Sequence, residues 1–145
     1  MRRIQRAVDK EDVIKALTTG DAPLFKEIWR LLFFAAAVGY HYNRRETLGN
    51  VDSGKAFPAT YFSHPAWPGY EYLLALVCTG EPQSLSGNDE NDDRRLTIFE
   101  EYTNGGLAVL REELEQRSYS LDALLQFVSA IEVAPIAVKL DDLEI

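Results

Sequence analysis

Apolar residues recur at three- and four-residue spacing in five stretches of the chain, and each stretch predicts a helix with a buried face. From residue 9 or 10 to residue 17, Val13, Ile14 and Leu17 share one side, acids occupy the first turn, and Gly20 stands just past the end. Asp21 offers a cap for a second helix with Pro23 in its first turn. Leu24, Ile28, Leu31, Leu32, Ala35 and Val38 then follow the helical period up to Gly39. Its second half, LLFFAAAVGY at residues 31–40, is apolar on nearly every side and predicts a central helix enclosed by its neighbours. Pro68 opens a third helix with Tyr70, Leu73, Leu74 and Val77 on one face and Gly80 as its stop. In the fourth, Leu96, Phe99, Thr103, Gly106, Leu110 and Leu114 keep one face across Asn104-Gly105-Gly106. That spacing predicts a long helix with a glycine-lined notch, where another helix or a ligand approaches the backbone closely; a kink at 104–106 is the competing reading. Ser118 or Ser120 caps a fifth helix carrying Leu121, Leu124, Leu125, Val128 and Ile131 on one side, and Pro135 ends it.

Between these stretches the helical period lapses. Residues 41–68 carry turn chemistry at Gly49, Asn50, Asp52, Ser53, Gly54 and Pro58. The Asp52-Ser53-Gly54 turn between Thr47-Leu48 and Lys55-Ala56-Phe57 suggests a small hairpin. A connection of that length is uncommon in a small domain and points to a role beyond linking. EPQSLSGNDENDD, residues 81–93, reads as an exposed, mobile loop. The expected fold is mainly α, a compact five-helix domain with a small irregular or β-hairpin insertion between helices 2 and 3. Residues 1–133 form the helical domain, with 1–8 as a basic N-terminal arm. Residues 134–145 form an acidic extended tail, strand-like or a peptide ligand for a partner.

Composition narrows the function. A length of 145 residues suits one domain, and 46% hydrophobic content is enough for a core without a metal or disulfides. The net charge of −8 excludes a generic nucleic-acid coat protein, but the charge is split: residues 1–45 hold nine Lys and Arg against five acids, and residues 46–145 hold six against eighteen. Acids at Asp9, Glu11 and Asp12 fall where a signal peptide would be apolar, and the ten uncharged residues at 31–40 fall short of the ~20 that cross a bilayer. With a single cysteine, Cys78, the expectation is a cytoplasmic protein with no membrane contact.

Few residues suggest chemistry. His41, His64 and Cys78 lack zinc-ligand spacing, and Cys78 lies in apolar LLALVCTG, so neither a metal site, a cofactor nor a reactive thiol is expected. Phosphate-binding loops, dinucleotide fingerprints and nucleophile elbows are absent. Glu100-Glu101, Glu112-Glu113 with Glu115, and the acids at 89–93 offer carboxylates for magnesium, although adjacent acids point different ways on a helix and read rather as a solvated face, and those at 89–93 as a helix-capping loop. The binding candidates are basic: Arg2, Arg3 and Arg6 in the arm, and Arg44-Arg45 after His41 and Tyr42 at the exit of the central helix. They can meet phosphates with an aromatic ring to stack on a base. Equally, Arg45 can pair with an acid such as Glu46 or Glu101.

Two segments, FFAAAVGYHYNRRETL at 33–48 and IFEEYTNGGLAVLREEL at 98–114, resemble the DNA phosphorothioation-associated (Dnd system-associated) protein 4 family. The likeness runs from about residue 9 to 133, with Thr103 where the family is expected to have Ala. Membership implies a prokaryotic defence locus that replaces a phosphate oxygen of DNA by sulfur or restricts unmarked DNA. It carries no catalytic residues over; Phe33 to Gly39, Arg44, Arg45, Glu100, Glu101, Tyr102 and Asn104 to Gly106 are motif positions only. The expected function is a noncatalytic accessory protein of a phosphorothioation modification or restriction system. Other proteins of the locus are its expected partners, and DNA and a second copy of the chain are further candidates. A small regulator or sensor of modified DNA and a magnesium-dependent enzyme using the clustered acids are the alternatives. Tyr61, Phe62 and Trp67, apolar within a polar segment, leave room for a homodimer.

Overall fold

The structure, a computed structural model, describes residues 2–63 and 69–131. Trp67, His64, Pro68 and the expected tail at 134–145 lie outside these residues. Among the described residues there are five α-helices and no strand: α1 (Glu11–Thr18), α2 (Ile28–His41), α3 (Tyr70–Thr79), α4 (Asp89–Glu115) and α5 (Leu121–Ser129). None is long and apolar enough to cross a membrane.

α4 is the axis. α2 packs along it more extensively than any other pair of elements, and α3, α1 and α5 add smaller contacts. Leu96, Phe99, Thr103, Gly106, Leu110 and Leu114 are all buried and the helix runs unbroken through 104–106, as the long-helix reading expects. Burial extends further round α4 than one stripe: every residue from 102 to 110 is enclosed. Phe33 of α2 is the centre of an aromatic cluster that secures α3 and a 3-10 turn at Ala59–Ser63. Its ring centroid lies 5.1 Å from that of Phe62 and 5.2 Å from those of Phe99 and Tyr70. Tyr70 donates its hydroxyl hydrogen to Phe33 O at 2.9 Å, and burial raises its pKa to about 12. Phe62 is thus core rather than a surface ring.

Several local expectations change. α2 begins at Ile28, not after Asp21, because the 19–27 segment bonds elsewhere: Phe25 N donates to Leu17 O at 3.0 Å. The loop expected at 81–93 is largely ordered, with a 3-10 turn at Pro82–Leu85 and α4 already starting at Asp89. Asn88 caps that start, accepting from Asn91 N at 2.9 Å, and the acids Asp89, Glu90 and Asp92 favour the positive end of the helix dipole. α5 is capped by Ser120 but is rotated from the expected face: Leu124 is buried and Ile131 packs against the core as expected, together with Ala123 and Phe127, whereas Leu121, Leu125 and Val128 are exposed. The bulky Phe127 outcompetes the leucine stripe for the core. No hairpin forms over 47–57. Instead the N-terminal segment makes isolated antiparallel bridges, Ile4 with Phe57 and Ala7 with Val51, and Asp52 closes its own turn by accepting from Gly54 N.

Candidate functional site

The two segments that carry the family likeness pack against each other. At the α2–α4 crossing the backbones approach so closely that a Cβ on Gly106 would overlap the Ala35 carbonyl, and one on Gly39 would overlap the Tyr102 carbonyl. Thr103 adds a hydrogen bond to Leu32 O at 3.3 Å. One turn beyond, Asn43 takes the left-handed conformation that asparagine tolerates (φ 52°), and the chain folds back over α4. Arg44 N donates to Gly39 O at 2.8 Å, Glu46 N to Glu101 O at 3.1 Å, and the Asn104 amide to Thr47 O at 3.0 Å. The Arg44 carbonyl lies where Gly105 would carry a Cβ. The structure therefore places Asn104, Gly105 and Gly106 against α2 and the 44–47 segment of the same chain.

This backbone path carries Arg44 and Arg45 to carboxylates. Arg44 donates to Glu112 at 2.7 Å and to Glu46 at 3.2 Å. The Glu112 bond raises the Arg44 pKa and holds the Glu112 carboxyl below its ordinary range. Arg45 donates through Nε to Glu101 at 2.7 Å and through Nη1 to Cys78 Sγ at 3.4 Å, and its guanidinium lies 5.8 Å from the Tyr102 ring centroid. Both arginine side chains remain about a third or more exposed. Beside them His41 meets Tyr42 edge-on, and Tyr42 stacks on Phe127 with centroids 6.0 Å apart.

The arm arginines form a separate group, and the structure does not bring them to the doublet. Arg2 grips Glu100 with two hydrogen bonds of 2.9 and 2.8 Å and reaches Thr97 at 3.1 Å. The Glu100 bond raises its pKa. Arg6 pairs with Glu11 at 2.7 Å. Arg3 donates to Ala56 O and has no carboxylate partner among the described residues. The arm is thereby fastened to α4 and to the 56–57 segment.

The acids do not converge. Glu100 and Glu101 are about 100° apart around α4; the first serves the arm and the second the 44–47 segment. Asp92 pairs with Arg95, and Glu112 with Arg44. Among the described residues no group of three or more His, Cys, Asp and Glu is placed to hold a metal. Sequence reasoning weighed Glu100, 6% exposed, only as a candidate acid, and passed over Arg95, 2% exposed. Arg95 donates to Ser84 O at 2.7 Å, bonds Asp92, and lies 4.4 Å from the Tyr72 ring centroid, holding the 82–85 turn and α3 to α4. A signal for it existed in the spacing Arg95, Ile98, Tyr102, which is a helix face with a charge at an apolar position.

Comparison with known proteins agrees with the two motif segments. Residues 3–140 match the family model described as DNA sulphur modification system-associated protein 4. The match extends beyond the 9–133 span of the resemblance at both ends. No curated protein and no solved structure matches the chain.

Proposed function

Because this chain belongs to the DNA sulphur modification system-associated protein 4 family, we propose that it is a noncatalytic accessory subunit acting by docking other proteins of the modification or restriction locus. One contrast carries the reading. The arginines expected to reach outward are engaged with the chain's own carboxylates, while α5 leaves Leu121 and Leu125 more than half exposed, at 57% and 53%, with Val128 beside them. Apolar residues at i, i+4 and i+7 on one helix are the usual anchors for a partner's groove or helix. Water around them is released on docking.

A tagged chain purified from its host, with and without nuclease, tests this. Locus proteins are expected to copurify after nuclease treatment, to be lost with Leu121→Asp plus Leu125→Asp, and to be retained with Arg44→Ala plus Arg45→Ala. Copurification of none of them, or its loss on nuclease treatment, defeats the docking reading.

Direct contact with DNA is the second reading, favoured by one observation: among the described residues the exposed Arg3 guanidinium meets a backbone carbonyl and no carboxylate. Binding through the arm would weaken steeply with salt and fall with Arg3→Ala. A sensor of the modified backbone would further separate phosphorothioate from ordinary duplex in the same anisotropy titration. Equal affinity for the two duplexes eliminates the sensor version.

A further inference from the structure

The segment FPATYFS, residues 57–63, turns its two phenylalanines inward: Phe62 is buried and Phe57 packs against the core, while Thr60 and Ser63 are exposed. These two lie three residues apart in the 3-10 turn Ala59–Ser63, where side chains at i and i+3 eclipse about 6 Å apart along the axis, so their hydroxyls share one face. The N-terminal arm brings Arg3 to that face. Ile4 N donates to Phe57 O at 2.8 Å and Phe57 N to Ile4 O at 3.1 Å, and the Arg3 guanidinium commits one N–H to Ala56 O. Among the described residues, Arg3, Pro58, Ala59, Thr60 and Ser63 together line a surface cavity of about 350 Å³.

We propose that this cavity is an oxyanion site that takes one phosphate group, with Arg3 supplying the positive charge and Thr60 and Ser63 the neutral donors. Charge is the first support. In a chain of net charge −8, Arg2 is held by Glu100 and Arg6 by Glu11, yet Arg3 meets no carboxylate and no acid lines the cavity among the described residues. Its uncommitted N–H groups can make charge-assisted bonds to phosphate oxygens, which are stronger than neutral ones. Shape is the second. Neither the Thr60 nor the Ser63 hydroxyl bonds a described residue. Two donors stacked on one face beside a guanidinium offer three directions of contact, which suit a tetrahedral anion better than a planar carboxylate. Order is the third: the Ala56 carbonyl and the Ile4–Phe57 bridge hold Arg3 in place beforehand, so less side-chain freedom is lost on binding. The group can arrive as free phosphate or as one phosphodiester of DNA. The inference shares Arg3 with the DNA reading above and rests on that reading only for the second source.

Two titrations of the full chain test it. In the first, inorganic phosphate is added against potassium chloride at matched ionic strength, and amide NMR shifts are expected to saturate at Arg3 and residues 59–63 with a Kd on the order of millimolar. Thr60→Val plus Ser63→Ala, at exposed positions outside the core, should leave the melting temperature unchanged and weaken phosphate binding about fivefold or more; Arg3→Ala should abolish saturation. Shifts that are the same in phosphate and chloride, that saturate elsewhere, or that ignore the hydroxyl variant overturn the site. The second titration follows the anisotropy of a labelled DNA duplex. Duplex affinity that falls with the hydroxyl variant as well as with Arg3→Ala assigns the group to a phosphodiester. Phosphate binding without duplex binding supports the site with free phosphate as its ligand and removes the DNA reading. Duplex binding that falls with Arg3→Ala but not with the hydroxyl variant overturns the site and leaves the DNA reading standing.

Discussion

The same two segments meet in two ways within a few residues. At the α2–α4 crossing, Gly39 and Gly106 let backbone touch backbone; at the exit, Arg44 and Arg45 reach Glu112 and Glu101 through long, half-wet side chains. The first contact is steric and admits no additional atom. The second is electrostatic, screened by salt, and replaceable by water. Both lie in the motif segments, yet the physics assigns the glycines to holding the fold and leaves the arginines to finish its edge.

The comparison breaks most sharply at Gly106. Alanine is the better helix former by about 1 kcal/mol, so a helix judged alone would gain from Gly106→Ala. Here the added methyl meets the Ala35 carbonyl, and we expect a net loss of about 3 kcal/mol, seen as a fall in Tm of about 10 °C. A melting temperature at or above that of the parent protein would mean the helices do not approach this closely.

Arg2→Ala comes next. It leaves Glu100 enclosed with only the Gln5 amide as partner, and urea denaturation should record a loss of about 2 kcal/mol. Glu100→Gln in the same background should recover part of that loss, because the uncompensated charge is gone.

At the exit, Arg44→Ala and Arg45→Ala are each expected to cost about 1 kcal/mol or less, with the difference from the parent vanishing in 1 M salt. The Arg44 effect also depends on pH. Glu112 has a carboxyl depressed below its ordinary value of 4.5, so its contribution is present above that value and disappears as pH falls through the lower folded-state value. The small difference between parent and Arg44→Ala stabilities at pH 7 should therefore shrink in acid below pH 4.5. Divergence in acid would reverse the sign of this pair.

Gly87→Ala is the smallest. Its Cβ would enter open space, and stability should change by less than about 0.5 kcal/mol in thermal melts. The contrast with Gly106 separates glycines demanded by packing from those that are merely tolerated.

Local pattern carried a reader a long way into this fold. Periodicity across Asn104-Gly105-Gly106 outweighed the turn preference of Asn-Gly because six apolar or small residues had to face one way, and a break would have scattered them. The stop at Gly80 and the cap at Ser120 were readable from chemistry that acts within four residues. The same reasoning failed on α5, where two apolar faces compete and only the shape of the neighbouring surface selects Phe127 over Leu125. It placed the start of α4 too late in 81–93 because Gly, Asn and acids without apolar periodicity look like a loop, although Asn88 caps a helix there. As for the candidate site, the pairing of Arg45 with Glu46 or Glu101 was open to reading, and the second of these forms, but the carboxylates that meet Arg2, Arg6 and Arg44 were not legible.

The sequence by itself determined the helical class, the excess of negative charge, the small residues of α4 and the two motif segments, since each is a property of neighbours along the chain. Only the tertiary structure decided that α4 is the axis, that the notch is filled by the protein's own backbone, that Arg2 meets Glu100, 98 residues away, and that Arg45 takes Glu101, 56 residues away, over its neighbour Glu46. Pairings at such separations depend on how rigid helices cross, and a crossing is set by the fit of two surfaces together.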